Sequence, residues 1–157
     1  MVIICDVEGT VCEPGKLMKV SVAESIAMVA DACDASFMFI DEMTNIEMDI
    51  ALEPLCAWSN LDFYSLPENG RCCYKENIPI GCWRVVWKDD SKPKTKREGI
   101  AHAINRLDKW GYTEAIYVGN DFGPNGDDRS VMGLIPCLEV EDPIKFQAWM
   151  MHYATKP

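Results

Sequence analysis

The chain has 157 residues, 48% hydrophobic and 25% charged, a composition that builds one ordinary globular core and excludes a disordered chain. No apolar run approaches the roughly 18 residues that cross a bilayer, so no membrane span is expected. The net charge of −10 repels phosphate backbones and excludes sequence-independent nucleic-acid binding.

Val2–Cys5 is a short apolar run of the kind that forms a buried parallel strand, and it is too short and too uncharged for a signal peptide. After a loop with Pro14 and Gly15, Ser21-x-x-Glu24 reads as a capping box. It opens a helix with Val22, Ile26, Val29, Ala30 and Cys33 on one face. Phe37–Ile40 is a second buried strand. Thr44-x-x-Glu47, a second capping box, starts a helix that Pro54 breaks. Asp62–Leu66 is a third strand, ended by the turn Pro67-Glu68-Asn69-Gly70. Arg71–Tyr74 and Cys82–Trp87 pair as a hairpin around Asn77–Gly81.

Thr95-x-x-Glu98 is a third capping box. Its helix carries Ile100, Ala103, Ile104 and Leu107 and stops at Gly111. Ala115–Val118 and Leu134–Leu138 are further strands, and Asp142-Pro143 opens a closing helix with proline at its first position. This order predicts an α/β fold: a Rossmann-like, mostly parallel sheet with helices on both faces, in a single domain over residues 1–157.

The eight cysteines form no C-x-x-C pair, so zinc and thioredoxin-type chemistry are not expected. They read as free, buried thiols in a reducing cytoplasm. Lys92, Lys94, Lys96 and Arg97 form the one dense basic cluster, either a solvated loop or an attractor for phosphate. Trp83, Trp87 and Tyr74 on the hairpin are either core residues or an apolar lid or dimer face.

In open parallel sheets, ligands bind beyond the carboxyl ends of the strands. Three such ends carry acids: Asp6-Val7-Glu8, Asp41-Glu42, and Asn120-Asp121 with Asp127-Asp128 downstream. Carboxylates gathered there repel unless a cation neutralises them. Hard oxygen ligands without a histidine or cysteine set suit Mg²⁺.

The run Val2–Val11, VIICDVEGTV, resembles the first motif of the haloacid dehalogenase superfamily. That resemblance implies that Asp6 is a nucleophile and Mg²⁺ ligand, and that Glu8 is the acid/base and touches the metal through its carbonyl. Glu8 stands where the family usually has Asp, which lengthens the reach by one methylene. Gly9 and Thr10 would line the phosphate site. Thr44 or Asp41 occupies the second-motif region, where a hydroxyl holds a phosphate oxygen, and Thr44 is the preferred reading. Lys96, in the first turn of its helix, matches the third-motif lysine better than Lys92 or Lys94.

Glu68-Asn69-Gly70 and Gly119–Met132, GNDFGPNGDDRSVM, are similar to the phosphomannomutase and sugar-phosphatase branch with its large cap. In that alignment Asn120 replaces the metal-binding acid. The expected metal set is therefore Asp6, Glu8, Asp121 and Asp128, with Asp127 as a substitute and Asn120 as a neutral alternative. The cap is nearly absent: residues 67–92 hold only the hairpin, so specificity is loose, or comes from a homo-oligomer partner, or from a large substrate. The resemblance implies a Mg²⁺-dependent phosphatase, acting through an aspartyl-phosphate on a small phosphorylated metabolite such as a sugar phosphate. A phosphomannomutase-like phosphotransferase and an inactive scaffold of the same fold are the alternatives.

Overall fold

The computed structural model describes residues 1–157 except 59, 60, 62, 78–81, 89–92, 94, 110, 156 and 157, and the backbone alone of 76, 77, 82 and 83. Asp62, most of the hairpin turn, Lys92 and Lys94 lie outside the described residues, as does the side chain of Trp83.

Seven strands form one sheet: β1 (Val2–Asp6), β2 (Ser36–Ile40), β3 (Phe63–Leu66), β4 (Cys72–Asn77), β5 (Cys82–Lys88), β6 (Ala115–Gly119) and β7 (Cys137–Glu139). Their order is β5-β4-β3-β2-β1-β6-β7. From β3 through β7 the neighbours are parallel, while β4 and β5 join antiparallel at one edge. The hairpin thus extends the main sheet instead of standing over the strand ends.

The period-two alternation of a strand divides the interior into two cores. Ile3, Cys5, Phe37 and Phe39 face one way, against Val22, Ile26 and Val29 of α1 (Val20–Cys33), Met48 and Leu52 of α2 (Asn45–Leu52) and Phe146 of α4 (Pro143–Ala154). Val2, Ile4, Met38, Ile40 and Tyr117 face the other way, against Ile100, Ala103 and Ile104 of α3 (Lys96–Leu107). Helices therefore cover both faces, as the alternating apolar runs predict.

Caps decide where several elements begin and end. Thr44 caps α2 with both halves of the capping box formed, and a 3₁₀ turn with Pro54 in its first turn follows that helix. Thr95 accepts the Glu98 N–H, which makes Lys96 the first residue of α3. Asp142 caps α4 through the Lys145 N–H at 2.9 Å.

Three expectations are corrected. Ser21 is not a cap: α1 starts one residue earlier, after Lys19, without a side-chain cap, so Ser21 lies inside the helix. Helix α3 ends before Gly111, because Asp108 adopts the left-handed conformation (φ 46°) that closes it. The last strand is Cys137–Glu139 rather than Leu134–Leu138, since turns hold Val131–Leu134 and Pro136 has no N–H for a ladder.

The hairpin aromatics form neither an apolar lid nor a dimer face among the described residues: Tyr74 and Trp87 are buried. Cys5, Cys12 and Cys73 are free, buried thiols, as expected of cysteines in apolar runs. No helix among the described residues is long and apolar enough to cross a membrane.

Candidate active site

The parallel register brings the acids together. Asp6 ends β1 beside Ile40 of β2, and Cys5 lies beside Val118 of β6, so residues 6, 41 and 119–121 emerge at one end of the sheet. Lys96 reaches the same place from the first turn of α3. Asp6, Lys96 and Asp128 are 2%, 1% and 0% exposed, which makes this a buried charge cluster and not a solvated rim.

Lys96 Nζ is the hub. It donates to Asp6 Oδ1, to Asp128 Oδ1 at 2.9 Å, and lies 3.1 Å from Asp127 Oδ2. Asp6 Oδ2 accepts the Thr10 hydroxyl at 3.1 Å. Asp128 is the most heavily bonded acid. Its Oδ2 takes the N–H groups of Asn120 and Asp121 at 3.0 and 2.9 Å, and its Oδ1 also takes the Tyr117 hydroxyl.

One ammonium cannot balance three carboxylates, and the titrations show the conflict. Burial pushes the Asp6 carboxyl well above its ordinary range; Lys96 draws it back, and Asp128 and Asp41 raise it again. Burial disfavours the Lys96 ammonium, but Asp6 and Asp128 outweigh that and hold its proton more firmly than usual. Asp127 also titrates high, mainly through partial burial, with Lys96 opposing and Asp128 adding. Burial and the charges of Asp6 and Asp128 raise Tyr117 far above a free phenol, so it stays a donor.

Among the described residues, Asp6, Asp127 and Asp128 offer ligand oxygens within 4.8 Å of one another. An all-oxygen donor set with surplus negative charge fits a hard divalent cation. The expected carboxylate ligand Asp121 is not in this trio; Glu8 is expected at the metal through its backbone carbonyl and not through its side chain. Asp121 contributes its backbone N–H to Asp128 and leaves its side chain exposed. Asn120 turns its amide toward the first loop, where its Oδ1 accepts the Thr10 hydroxyl at 3.4 Å. Gly9 there has φ 82°, and a Cβ on it would stand 2.2 Å from the Asn120 amide nitrogen, so the contact requires glycine.

Glu8 is exposed, and its carboxylate accepts the Gly15 N–H at 3.3 Å. It lines a cleft of about 770 Å³ together with Lys16, Lys19, Met43, Glu47 and Ile50. Thr44 stays outside the cluster. Its hydroxyl donates to Glu47 Oε1 at 2.9 Å and accepts the Glu47 N–H at 3.3 Å. The residue directly after β2 is Asp41, whose Oδ2 accepts the Glu8 N–H at 3.0 Å.

One participant, Tyr117, is not singled out by the sequence, and another, Asp127, is given only as a substitute. Tyr117 was read only as a strand residue, although alternation in β6 puts it on the face of α3 and hence of Lys96. Asp127 was ranked behind Asp121 because position in a motif does not reveal which acid a loop turns inward.

No protein-family model matches the sequence, and no curated protein is similar to it in sequence. Solved structures are similar in fold. An IMP-bound mutant of Plasmodium falciparum IMP-nucleotidase matches with TM-score 0.78 and 12% identity, over 97% of this chain and 66% of that one. The ATP-bound form of that nucleotidase matches with TM-score 0.75 and 12% identity, over 98% and 60%. A Thermoplasma acidophilum protein matches with TM-score 0.56 and 8% identity, over 97% of both chains. This chain therefore spans about two thirds or less of the nucleotidase's length. At such identities the likeness speaks to architecture alone: a mostly parallel α/β sheet with helices on both faces, shared with the nucleotidase.

Proposed function

We propose that the chain is a phosphomonoester hydrolase in which Asp6 is the nucleophile. The observation that carries this reading is the buried contact of Lys96 with Asp6 and Asp128, with the half-exposed Asp127 beside it, at the carboxyl ends of the parallel strands. A buried cluster with surplus like charge is a costly arrangement, and such arrangements concentrate at functional sites. The fold shared with a nucleotidase supports the same reading.

Asp6, Asp127 and Asp128 would hold Mg²⁺, which supplies positive charge opposite the transferring group when bound. Asp127 takes the place first given to Asp121. A carboxylate oxygen of Asp6 attacks phosphorus in line, and the bond from phosphorus to the leaving oxygen breaks. Glu8, in its protonated form, would give its proton to that oxygen; its exposed carboxylate lines a cleft beside the first loop. Glu8 then takes a proton from water as the water oxygen attacks the aspartyl-phosphate, releasing Asp6 and inorganic phosphate. Lys96 offsets the negative charge on Asp6 throughout, and Thr10 fixes the orientation of its carboxylate.

The substrate class that fits this reading is a small phosphorylated metabolite. A sugar phosphate is one candidate, and the IMP-bound relative adds a nucleoside monophosphate. The test is hydrolysis of an aryl phosphate, a sugar-phosphate panel and IMP, with and without Mg²⁺. Asp6→Asn should lower aryl phosphate turnover by at least about 10³-fold with the fold intact. Full activity in that variant removes the nucleophile from the account.

A second reading, an inactive module of this fold, is favoured by Asn120 standing where an acid is expected. Absence of both turnover and a Mg²⁺-dependent thermal shift selects it.

A further inference from the structure

This inference rests on phosphoryl transfer at Asp6. A phosphoryl group seated there needs N–H donors for its oxygens. The backbone N–H groups of Glu8, two residues past the nucleophile, and of Glu42, just past β2, stand at that end of the sheet. Both are already taken. Asp41 accepts the Glu8 N–H on Oδ2 at 3.0 Å and the Glu42 N–H on Oδ1 at 2.7 Å, and it is 7% exposed.

Asp41 is also firmly placed. Its carbonyl accepts the Asn69 N–H at 2.9 Å, and its own N–H goes to the Leu66 carbonyl at 3.4 Å. Three consecutive left-handed residues, Glu68, Asn69 and Gly70 (φ 52°, 56° and 90°), shape the turn that does this. Two of them are not glycine, so the conformation carries local strain. Helix α3 locks the turn from behind: a Cβ on Gly99 would stand 1.9 Å from the Asn69 carbonyl oxygen. The Glu-Asn-Gly run thus has a structural task, which is to hold Asp41 against the first loop.

We propose that Asp41 is a built-in competitor for the phosphoryl oxygens. Its carboxylate occupies the Glu8 and Glu42 N–H groups that a phosphate would use, so the site holds dianionic phosphate weakly and releases product readily. The consequence is a specificity device: a high KM for simple phosphate esters and little inhibition by inorganic phosphate.

The experiment measures inorganic phosphate as a competitive inhibitor of aryl phosphate hydrolysis in Mg²⁺, in wild type, Asp41→Ser and Asp41→Asn. Asp41→Ser frees the donors and removes the charge, and should tighten phosphate by about tenfold or more, with KM falling alongside and kcat moving far less. Asp41→Asn keeps the shape while losing the charge, and should fall between. A purely structural role moves the melting temperature and leaves phosphate no tighter. Phosphate binding unchanged or weaker in a folded Asp41→Asn protein overturns this inference and leaves the hydrolase reading standing. Tight phosphate inhibition of wild type does the same. Absence of turnover and of phosphate binding in all three proteins overturns both.

Discussion

Strands β1 and β5 belong to one sheet and lie in different surroundings. The middle of the sheet ends in ions: Asp6, Lys96 and Asp128 are packed out of reach of water, with Tyr117 and Thr10 bonded to them. The antiparallel edge ends in ordinary packing. Trp87 lies against His102 at 5.3 Å and under the Arg106 guanidinium at 4.9 Å, and its indole N–H reaches the Gly70 carbonyl at 3.2 Å. Arg84 and Lys88 stay exposed on that edge, where charge discourages pairing with another chain. The edge is a stability solution. The centre keeps like charges close at a cost that an apolar core of the same volume would avoid.

The hardest blow to this contrast is Lys96→Ala. It strips the cluster of its cation and leaves three acids facing one another. Turnover should fall by about 10²–10³-fold. Stability without metal should fall by about 3 kcal/mol, the usual result of removing one partner from a buried ion pair. Mg²⁺ should return part of that stability, read as a larger metal-dependent rise in melting temperature than in wild type. Lys94→Ala is the control and should change turnover by less than about twofold. Equal losses in the two variants would shift the phosphate lysine away from Lys96.

A smaller effect, in the opposite direction, sharpens the same point. Burial raises the Asp6 carboxyl to about 8, despite the pull of Lys96. Between the ordinary carboxylate range and that value, the folded chain keeps a proton that the unfolded chain has lost. Stability without metal must therefore fall as pH rises through this window. Asp6→Asn has no such proton. It should match wild type near pH 4 and be roughly 2 kcal/mol more stable near pH 8, by denaturant unfolding in chelator. Parallel pH profiles would mean that the buried charges of the centre are not in conflict.

The two regions also differed in how far the sequence revealed them. Apolar runs and capping boxes placed the strands and the helices α2, α3 and α4, because burial and N-cap chemistry are local. Thr95 puts Lys96 in the first turn of α3, and the structure brings it against Asp6 at the end of β1. What failed was a matter of side-chain direction. Asp121 and Asp127 are both acids on one loop, and only the three-dimensional turn brings Asp127 against Lys96. Thr44 carries the family's preferred residue type, but its hydroxyl serves α2, while Asp41 stands at the strand end. Ser21-x-x-Glu24 has the spacing of a cap and lies inside a helix whose first residue is Val20.

The least disruptive probe asks whether the two regions are independent. Trp87→Phe keeps an aromatic ring in the edge but loses the indole donor, leaving the buried Gly70 carbonyl without that partner. The cost should be about 1 kcal/mol, read by denaturant unfolding. Gly70 is the last residue of the left-handed turn whose Asn69 N–H holds Asp41, so the edge has a covalent route to the first loop. Helix α3 also packs against that turn through a contact that does not involve Trp87, the close approach of Gly99 to Asn69. Turnover should therefore stay within about twofold of wild type, because the ΔΔG falls on a contact outside the charge cluster. A larger fall in kcat or a shift in phosphate inhibition would make the antiparallel edge part of the site's support and dissolve the division between the two regions.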